Sequence, residues 1–442
     1  AHTFPACFAP VCQRGGQSLR STWPLSVKPM GAALSSKGQR LDKALGAQFP
    51  EDERYFGLEN FGNTCYANSV LQALYYCKPL RERCIQHCLS TQPARDDYGE
   101  DSSGGGGDDD LLEALCNLFH SISTQKRRCG VFPPRRFIQK LRDENEIFNN
   151  QMHQDAHELL NYLLNEMAEI LEKRTKRAAE QAAKTAAAGN GSSRSVEGGS
   201  AGGQAEESGC CGGSCFDESS KYVSKTWIHS IFEGLLTNET RCLACDSVTS
   251  RDESFLDLSL EIEQNSSVSA CMRNFSANES LRGENKFFCD SCSSLQEAHK
   301  RMRIKRLPNV LAVHLKRFKY MEELQRFKKL SYRIAFPLEL KLTNVCESAT
   351  DPDRKYKLFA VVVHAGSGIN HGHYISLVRS HHHWLCFDDD VVDLIDEAQM
   401  QSYFGSSLET AASTETGYLL FYQAEDWDSS ADPQEPPGAT SP

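Results

Sequence analysis

The 442-residue chain contains no run of eighteen apolar residues, so no segment has the length and apolarity of a membrane-spanning helix. It also lacks a hydrophobic secretory segment. Without one, its 18 cysteines do not read as the disulfide framework of a small secreted domain; the expectation is mostly reduced thiols in the cytoplasm or nucleus. Positive charge is short as well, with 48 Lys and Arg against 59 Asp and Glu and a net charge of −11. That balance disfavours nucleic acid as a partner and admits a basic one.

Residues 1–41 lack something different, an acidic side chain, while carrying Arg14, Arg20, Lys28, Lys37 and Arg40. This composition fits an organelle transit peptide, but a disordered or extraneous extension is the plainer reading. The string Met30, Gly31, Ala32, Ala33, Leu34, Ser35 fits an N-myristoylation acceptor at Gly31, which operates only if Met30 is the native start.

What is present divides into helical and strand-like halves separated by polar inserts. DDYGEDSSGGGGDDD (96–110) is acidic and glycine-rich. Residues 173–220 begin as an Ala, Lys and Arg-rich continuation of a helix and then dissolve into Gly, Ser and Glu. Neither insert buries enough apolar surface to offset its ordering entropy. Cys210, Cys211 and Cys215 fall in the second and are expected to be loose thiols rather than a metal clip.

Between the inserts, Leu111 to Ile122 and His157 to Glu172 repeat apolar residues at steps of three and four, the period of helices. After the second insert the period becomes two: FLDLSLEI (255–262), NVLAVHLKRF, LFAVVVH, YISLV, WLCF and YLLFY read as strands. Helices first and strands afterwards imply an α+β architecture rather than a doubly wound sheet.

Three constellations carry chemistry. In GLENFGNTCYANSVLQAL (57–74), Cys65 stands where a glycine-containing turn becomes the first turn of a helix. Free backbone N–H groups and the positive end of the helix dipole make a thiol ionise more readily at such a position.

A nucleophilic cysteine needs a base, and the base needs a group that fixes its tautomer. His373, in GSGINHGHYISLV, sits at the mouth of a strand; WLCFDDD follows, and a hairpin between the two strands would bring Asp388 near His373. Cys65, His373 and Asp388 then form a Cys-His-Asp triad. Taken singly, His373 is also what a satisfied turn histidine looks like, and Asp388, Asp389 and Asp390 what a solvated turn looks like. His371 is expected to face away from His373, and His381 to His383 to form a solvated loop.

The third constellation is a pair of CxxC motifs, Cys242 with Cys245 and Cys289 with Cys292. A redox CxxC needs only one pair. Two pairs flanking strand-like sequence favour a closed, structural tetrahedral Zn2+ site.

Together these residues resemble the ubiquitin-specific proteases, papain-like cysteine isopeptidases with fingers, palm and thumb subdomains. The matching pieces are GLENFGNTCYANSVLQAL, HQDAHELLNYLL (153–164), the two CxxC pairs, LAVHLKRF (311–318), GHYISLV, WLCFDDD (384–390) and GYLLFYQ (417–423). Closer likeness in NETRCLACDS, QEAHKRMRIKRLP and LKRFKYMEELQRFKKLSYRIAFPLEL is to the subgroup containing ubiquitin carboxyl-terminal hydrolases 12 and 46.

The resemblance implies a catalytic domain over 55–427 with a zinc ribbon in the fingers, inserts at about 91–110 and 176–222, an extension at 1–54 and a tail at 428–442. It implies Cys65 as nucleophile, His373 as general base and acid, Asp388 as orienting carboxylate with Asp389 in reserve, and Asn60 as oxyanion donor beside the Cys65 N–H. Asp155 and Glu158 would line a channel for the arginine-bearing tail of ubiquitin; a helix start capped by aspartate is the competing reading.

The implied activity is hydrolysis of the isopeptide bond after the C-terminal glycine of ubiquitin, with WD40-repeat β-propeller proteins as activating partners. The alternatives are a catalytically weak ubiquitin-binding adaptor and, from the CxxC pairs alone, a nucleic-acid binder, which the acidic balance disfavours. Two departures from the family pattern, Ala67 and Leu159, replace larger side chains.

Overall fold

The structure, a computed structural model, describes residues 41–48, 50–91, 109–150, 152–189, 226–368, 371–407 and 415–427. The expectations for Met30, Gly31, Cys210, Cys211, Cys215 and the tail at 428–442 lie outside the described residues. Among the described residues, no helix is long and apolar enough to cross a membrane.

The helical half, the thumb, is built from α1 (Cys65–Tyr75), α2 (Lys78–Thr91), α3 (Leu111–Ser123), α4 (Arg135–Glu144) and α5 (Ala156–Gly189). Every side chain of α1 is buried, polar Asn68, Ser69 and Gln72 included. Asp110 caps α3 by accepting the Glu113 N–H at 3.0 Å and pairs with Arg174 of α5 at 2.6 Å, so the end of the first insert is anchored in the thumb. Helix α5 runs 13 residues past 176, where the insert was expected to begin, as 189 minus 176 gives. Its Ala, Lys, Glu and Arg residues are strong helix formers, and Glu169 with Lys173 makes an i,i+4 pair at 2.7 Å.

Part of the segment expected as an extension, 1–54, also packs on the thumb. Leu41 and Leu45 are each 3% exposed and join the thumb core, and Glu53, 1% exposed, holds Arg81 through two bonds of 2.9 and 3.0 Å. Sparse apolar residues hid this segment from a reading by periodicity.

The palm is an eight-stranded sheet whose main path runs 391–395, 383–388, 371–380, 355–368, 416–424, 310–315 and 258–260. Alternation along its strands is apolar on both faces. Val310, Ala312, Leu419 and Phe421 pack with the helices, whereas Leu311, Val313, Leu420 and Tyr422 belong to a second core behind the sheet. A sheet buried on both sides separates the two cores, and its last strands carry His373 and Asp388 to the thumb boundary. A five-stranded sheet including Gly234–Cys242, Val248–Phe255 and Ala298–Arg306 forms the fingers.

Two buried cations brace the palm beneath the site. Arg317, 0% exposed, donates to the carbonyls of Gly417, Leu330, Tyr332 and Phe404, and burial lowers its pKa to about 9. Lys329 donates to the carbonyls of His364 and Gly366 at 2.8 and 2.9 Å, gripping the hairpin strand on either side of Ala365, the residue paired with His373. Burial, with Arg317 as the next cause, lowers the Lys329 pKa to about 7.

The thumb lies close against the palm at Gly57, in the strand Tyr55–Leu58, where a Cβ would stand 2.5 Å from the Asp390 carbonyl carbon. Gly57→Ala is therefore expected to destabilise the fold by about 1–3 kcal/mol, the usual range for overpacking, and to lower activity. Denaturant unfolding compared with wild type checks this; unchanged stability would show that the strand moves freely.

Candidate active site

Cys65 opens α1 and is 1% exposed, with Thr64 before it making no side-chain cap to the helix. The loop ahead of it turns through left-handed backbone at Gly62 (φ 82°) and Asn63 (φ 55°). Asn60 is held at both ends of its amide: its carbonyl oxygen accepts from Thr64 N and Oγ1, each at 3.2 Å, and its NH2 donates to Asp389 Oδ2 at 2.7 Å.

From the palm, His373 Nε2 meets Asp388 Oδ1 at 2.6 Å. The Asp388 carboxylate, then the Cys65 side chain as a second hydrogen-bond partner, raises the His373 pKa to about 10 against the opposing effect of burial. Asp388 occupies Nε2, so Nδ1 is the nitrogen left to serve Cys65. Cys65, His373 and Asp388 thus come together although 308 residues separate the first two, as 373 minus 65 gives.

Asp389 has a different task. Its left-handed backbone (φ 48°) turns its carboxylate onto Asn60 and onto Asn68 Nδ2 (2.8 Å), while its carbonyl accepts the Leu58 N–H at 2.8 Å.

Asp155 caps the start of α5 by accepting the His157 N–H at 2.8 Å, and both its oxygens accept from Tyr418 Oη, at 2.8 and 2.7 Å. Glu158, one turn along, is exposed, and partial desolvation followed by Asp155 raises its pKa. Of the two acids, Glu158 is the one open to an incoming cation. Ala67 and Leu159 are both fully buried in the thumb core.

One residue of the site escaped the sequence reading. His153 places Nδ1 3.9 Å from Cys65 Sγ. The segment HQDAHE was visible, but an imidazole just ahead of a helix carries no periodic signal. His373 and His371 both bear electrostatically on His153.

In the fingers, the sulfurs of Cys242, Cys245, Cys289 and Cys292 all lie within 4.8 Å of one another, Cys245 and Cys289 at 3.6 Å. Four sulfurs at about 2.3 Å from a tetrahedral metal stand roughly 3.8 Å apart, so the cluster has the donor set and spacing to hold a metal ion.

A cysteine at a helix start, facing a carboxylate-held histidine across the junction of a helical and a β half, has the arrangement of a thiol-dependent hydrolase. The model of the ubiquitin carboxyl-terminal hydrolase family matches residues 56–422. The chain is 54% identical over 395 residues to ubiquitin carboxyl-terminal hydrolase 4 of Arabidopsis thaliana, across 89% of this chain and 99% of that protein. It is 50% identical over 398 residues to ubiquitin carboxyl-terminal hydrolase 12 of Salmo salar, across 90% and 96%. Its fold is similar to that in the solved structure of the SAGA Ubp8/Sgf11/Sus1/Sgf73 DUB module bound to ubiquitin aldehyde, with a TM-score of 0.60 at 23% identity over 86% of this chain and 72% of that one. The chain belongs to the ubiquitin carboxyl-terminal hydrolase family. It is a cysteine-type ubiquitinyl hydrolase with the α+β, fingers-palm-thumb architecture of the papain-like proteases.

The raised His373 pKa sets a pH dependence. A folded-state value near 10 exceeds the ordinary histidine value of about 6.5, so the stability gained from this group is complete on the acid side of the ordinary value and is lost as pH rises through the folded one. Asp388→Asn is expected to bring the NMR titration of His373 down toward the ordinary range. The stability gap between wild type and variant, measured while Asp388 remains ionised, should narrow across that window; a gap independent of pH would contradict the pairing.

Proposed function

We propose that the chain hydrolyses the isopeptide bond after the C-terminal glycine of ubiquitin on protein conjugates, with Cys65 as nucleophile. The observation that carries this reading is His373 held by Asp388 at 2.6 Å and presented to Cys65. The Cys65 thiolate adds to the glycine carbonyl carbon, and the C=O electron pair moves onto oxygen. The Cys65 N–H and the Asn60 amide N–H not engaged by Asp389 stabilise that oxygen. As the tetrahedral centre collapses, His373 gives its Nδ1 proton to the departing lysine amine. The neutral imidazole then takes a proton from water, whose oxygen attacks the thioester and expels the Cys65 thiolate, restoring the starting thiolate and imidazolium. Asp388 holds the ring in one tautomer throughout.

Asp155 and Glu158 line the approach of the ubiquitin tail in this reading, with exposed Glu158 as the acid that meets an arginine. The four fingers cysteines hold one structural Zn2+, fixing two hairpin ends without taking part in a catalytic step. WD40-repeat propeller proteins are the activating partners, and the chain acts in cytoplasm and nucleus; the likeness to the subgroup of hydrolases 12 and 46 supports this part.

A ubiquitin probe with a C-terminal electrophile should label wild-type protein one to one and leave Cys65→Ala unlabelled; labelling that survives the substitution would refute the assignment of Cys65. Metal analysis of reduced, folded protein should find one zinc per chain, falling with loss of thermal stability in Cys242→Ser. Zinc well below one equivalent in wild type would remove the structural site. Turnover of a ubiquitin amide should rise when a WD40 partner is added, and full activity of the isolated chain would count against that dependence.

A further inference from the structure

Two histidines stand beside Cys65, and the proposed mechanism uses only His373. His153 lies in the turn before α5, half-buried, with Nδ1 3.9 Å from the Cys65 sulfur. Its ring makes no other hydrogen bond among the described residues, whereas His373 is bound to Asp388 and His157 to Asp257. Burial, then the nearby His373 and His371, lower the His153 pKa, so this ring is neutral where His373 is an imidazolium.

The proposed oxyanion site has two donors so far. One N–H of Asn60 is committed to Asp389, which leaves its second N–H and the Cys65 backbone N–H. An oxyanion on a carbon bonded to sulfur lies roughly 2.7 Å from that sulfur, so a nitrogen 3.9 Å from the sulfur is within reach of the roughly 3 Å separation at which a donor acts.

We propose that His153 is a further catalytic residue, a neutral imidazole whose Nδ1–H donates a hydrogen bond to the oxygen that becomes negative as Cys65 attacks the glycine carbonyl. No proton is transferred. The sulfur–carbon bond forms, the C=O pair moves to oxygen, and His153 meets the charge without becoming charged itself. A neutral donor suits this place because a second imidazolium beside His373 would be repelled.

The inference rests on Cys65 as nucleophile, and the experiment separates the two ideas. Steady-state turnover of a fluorogenic ubiquitin amide is measured for wild type, Cys65→Ala, His153→Ala and His153→Gln. In parallel, iodoacetamide alkylation of Cys65, a reaction that generates no oxyanion, is followed against pH. His153→Ala should lower kcat by about 10²-fold, the size expected for one lost oxyanion donor, with KM within about twofold. His153→Gln, which keeps an N–H donor, should recover about tenfold of that loss. The alkylation profiles of wild type and both His153 variants should superimpose.

Turnover of His153→Ala within about twofold of wild type would overturn the proposal. So would an alkylation profile that shifts along with kcat, because His153 would then act on the thiol rather than on the oxyanion. Turnover that persists in Cys65→Ala would instead sink the reading of Cys65, whatever the His153 variants do.

Discussion

One carboxylate ties the two halves of the molecule together at the place where they must meet. Asp389 leaves the palm sheet in a left-handed turn and reaches three points of the thumb: the Leu58 N–H through its carbonyl, and the amides of Asn60 and Asn68 through its two carboxylate oxygens. The Cys65 loop is hung between these points, since Asn60 in turn receives both donors of Thr64. Without a side chain at Gly57 the palm turn can press against the thumb strand, beside the place where Asp389 reaches Asn60 and Asn68. Adjacent acids therefore divide the work, Asp388 holding the palm histidine and Asp389 holding the thumb loop.

The environment also sorts the histidines. His364 has a pKa lowered to about 3 by burial, with Lys329 the next cause, and His314 is lowered by burial and by His157. His153 is lowered by burial and by its histidine neighbours. His373 alone among these four is raised, and it is the one bonded to Asp388. A site with one protonated ring among neutral ones has a defined acid, and the neutral rings add no competing proton source.

Much of this was legible in the chain. The change from a helical to a strand period marked thumb and palm, because both halves bury regular faces. Cys65 at a helix start and the CxxC pairs are local patterns, and local patterns survive in sequence. The hidden parts depend on geometry that sequence spacing does not encode. Arg317 and Lys329 look like surface cations in LKRFKYMEELQRFKKL, yet they are buried against carbonyls. Asp389 looked like a spare for Asp388 because the left-handed turn that aims it elsewhere exists only in the folded hairpin. Leu41 and Leu45 were lost in a basic, polar stretch, whereas the continuation of α5 past residue 173 was legible in its Ala, Lys and Arg content.

The Cys65 loop depends on the coupling of Asn60 to Asp389 across the thumb-palm junction, and a double-mutant cycle on turnover of a ubiquitin amide tests that coupling most directly. Asn60→Ala and Asp389→Ala should each lower kcat, and the double variant should be no slower than the slower single one, because both substitutions break the same support. Losses that multiply in the double variant would show the two residues acting independently and would contradict the clamp.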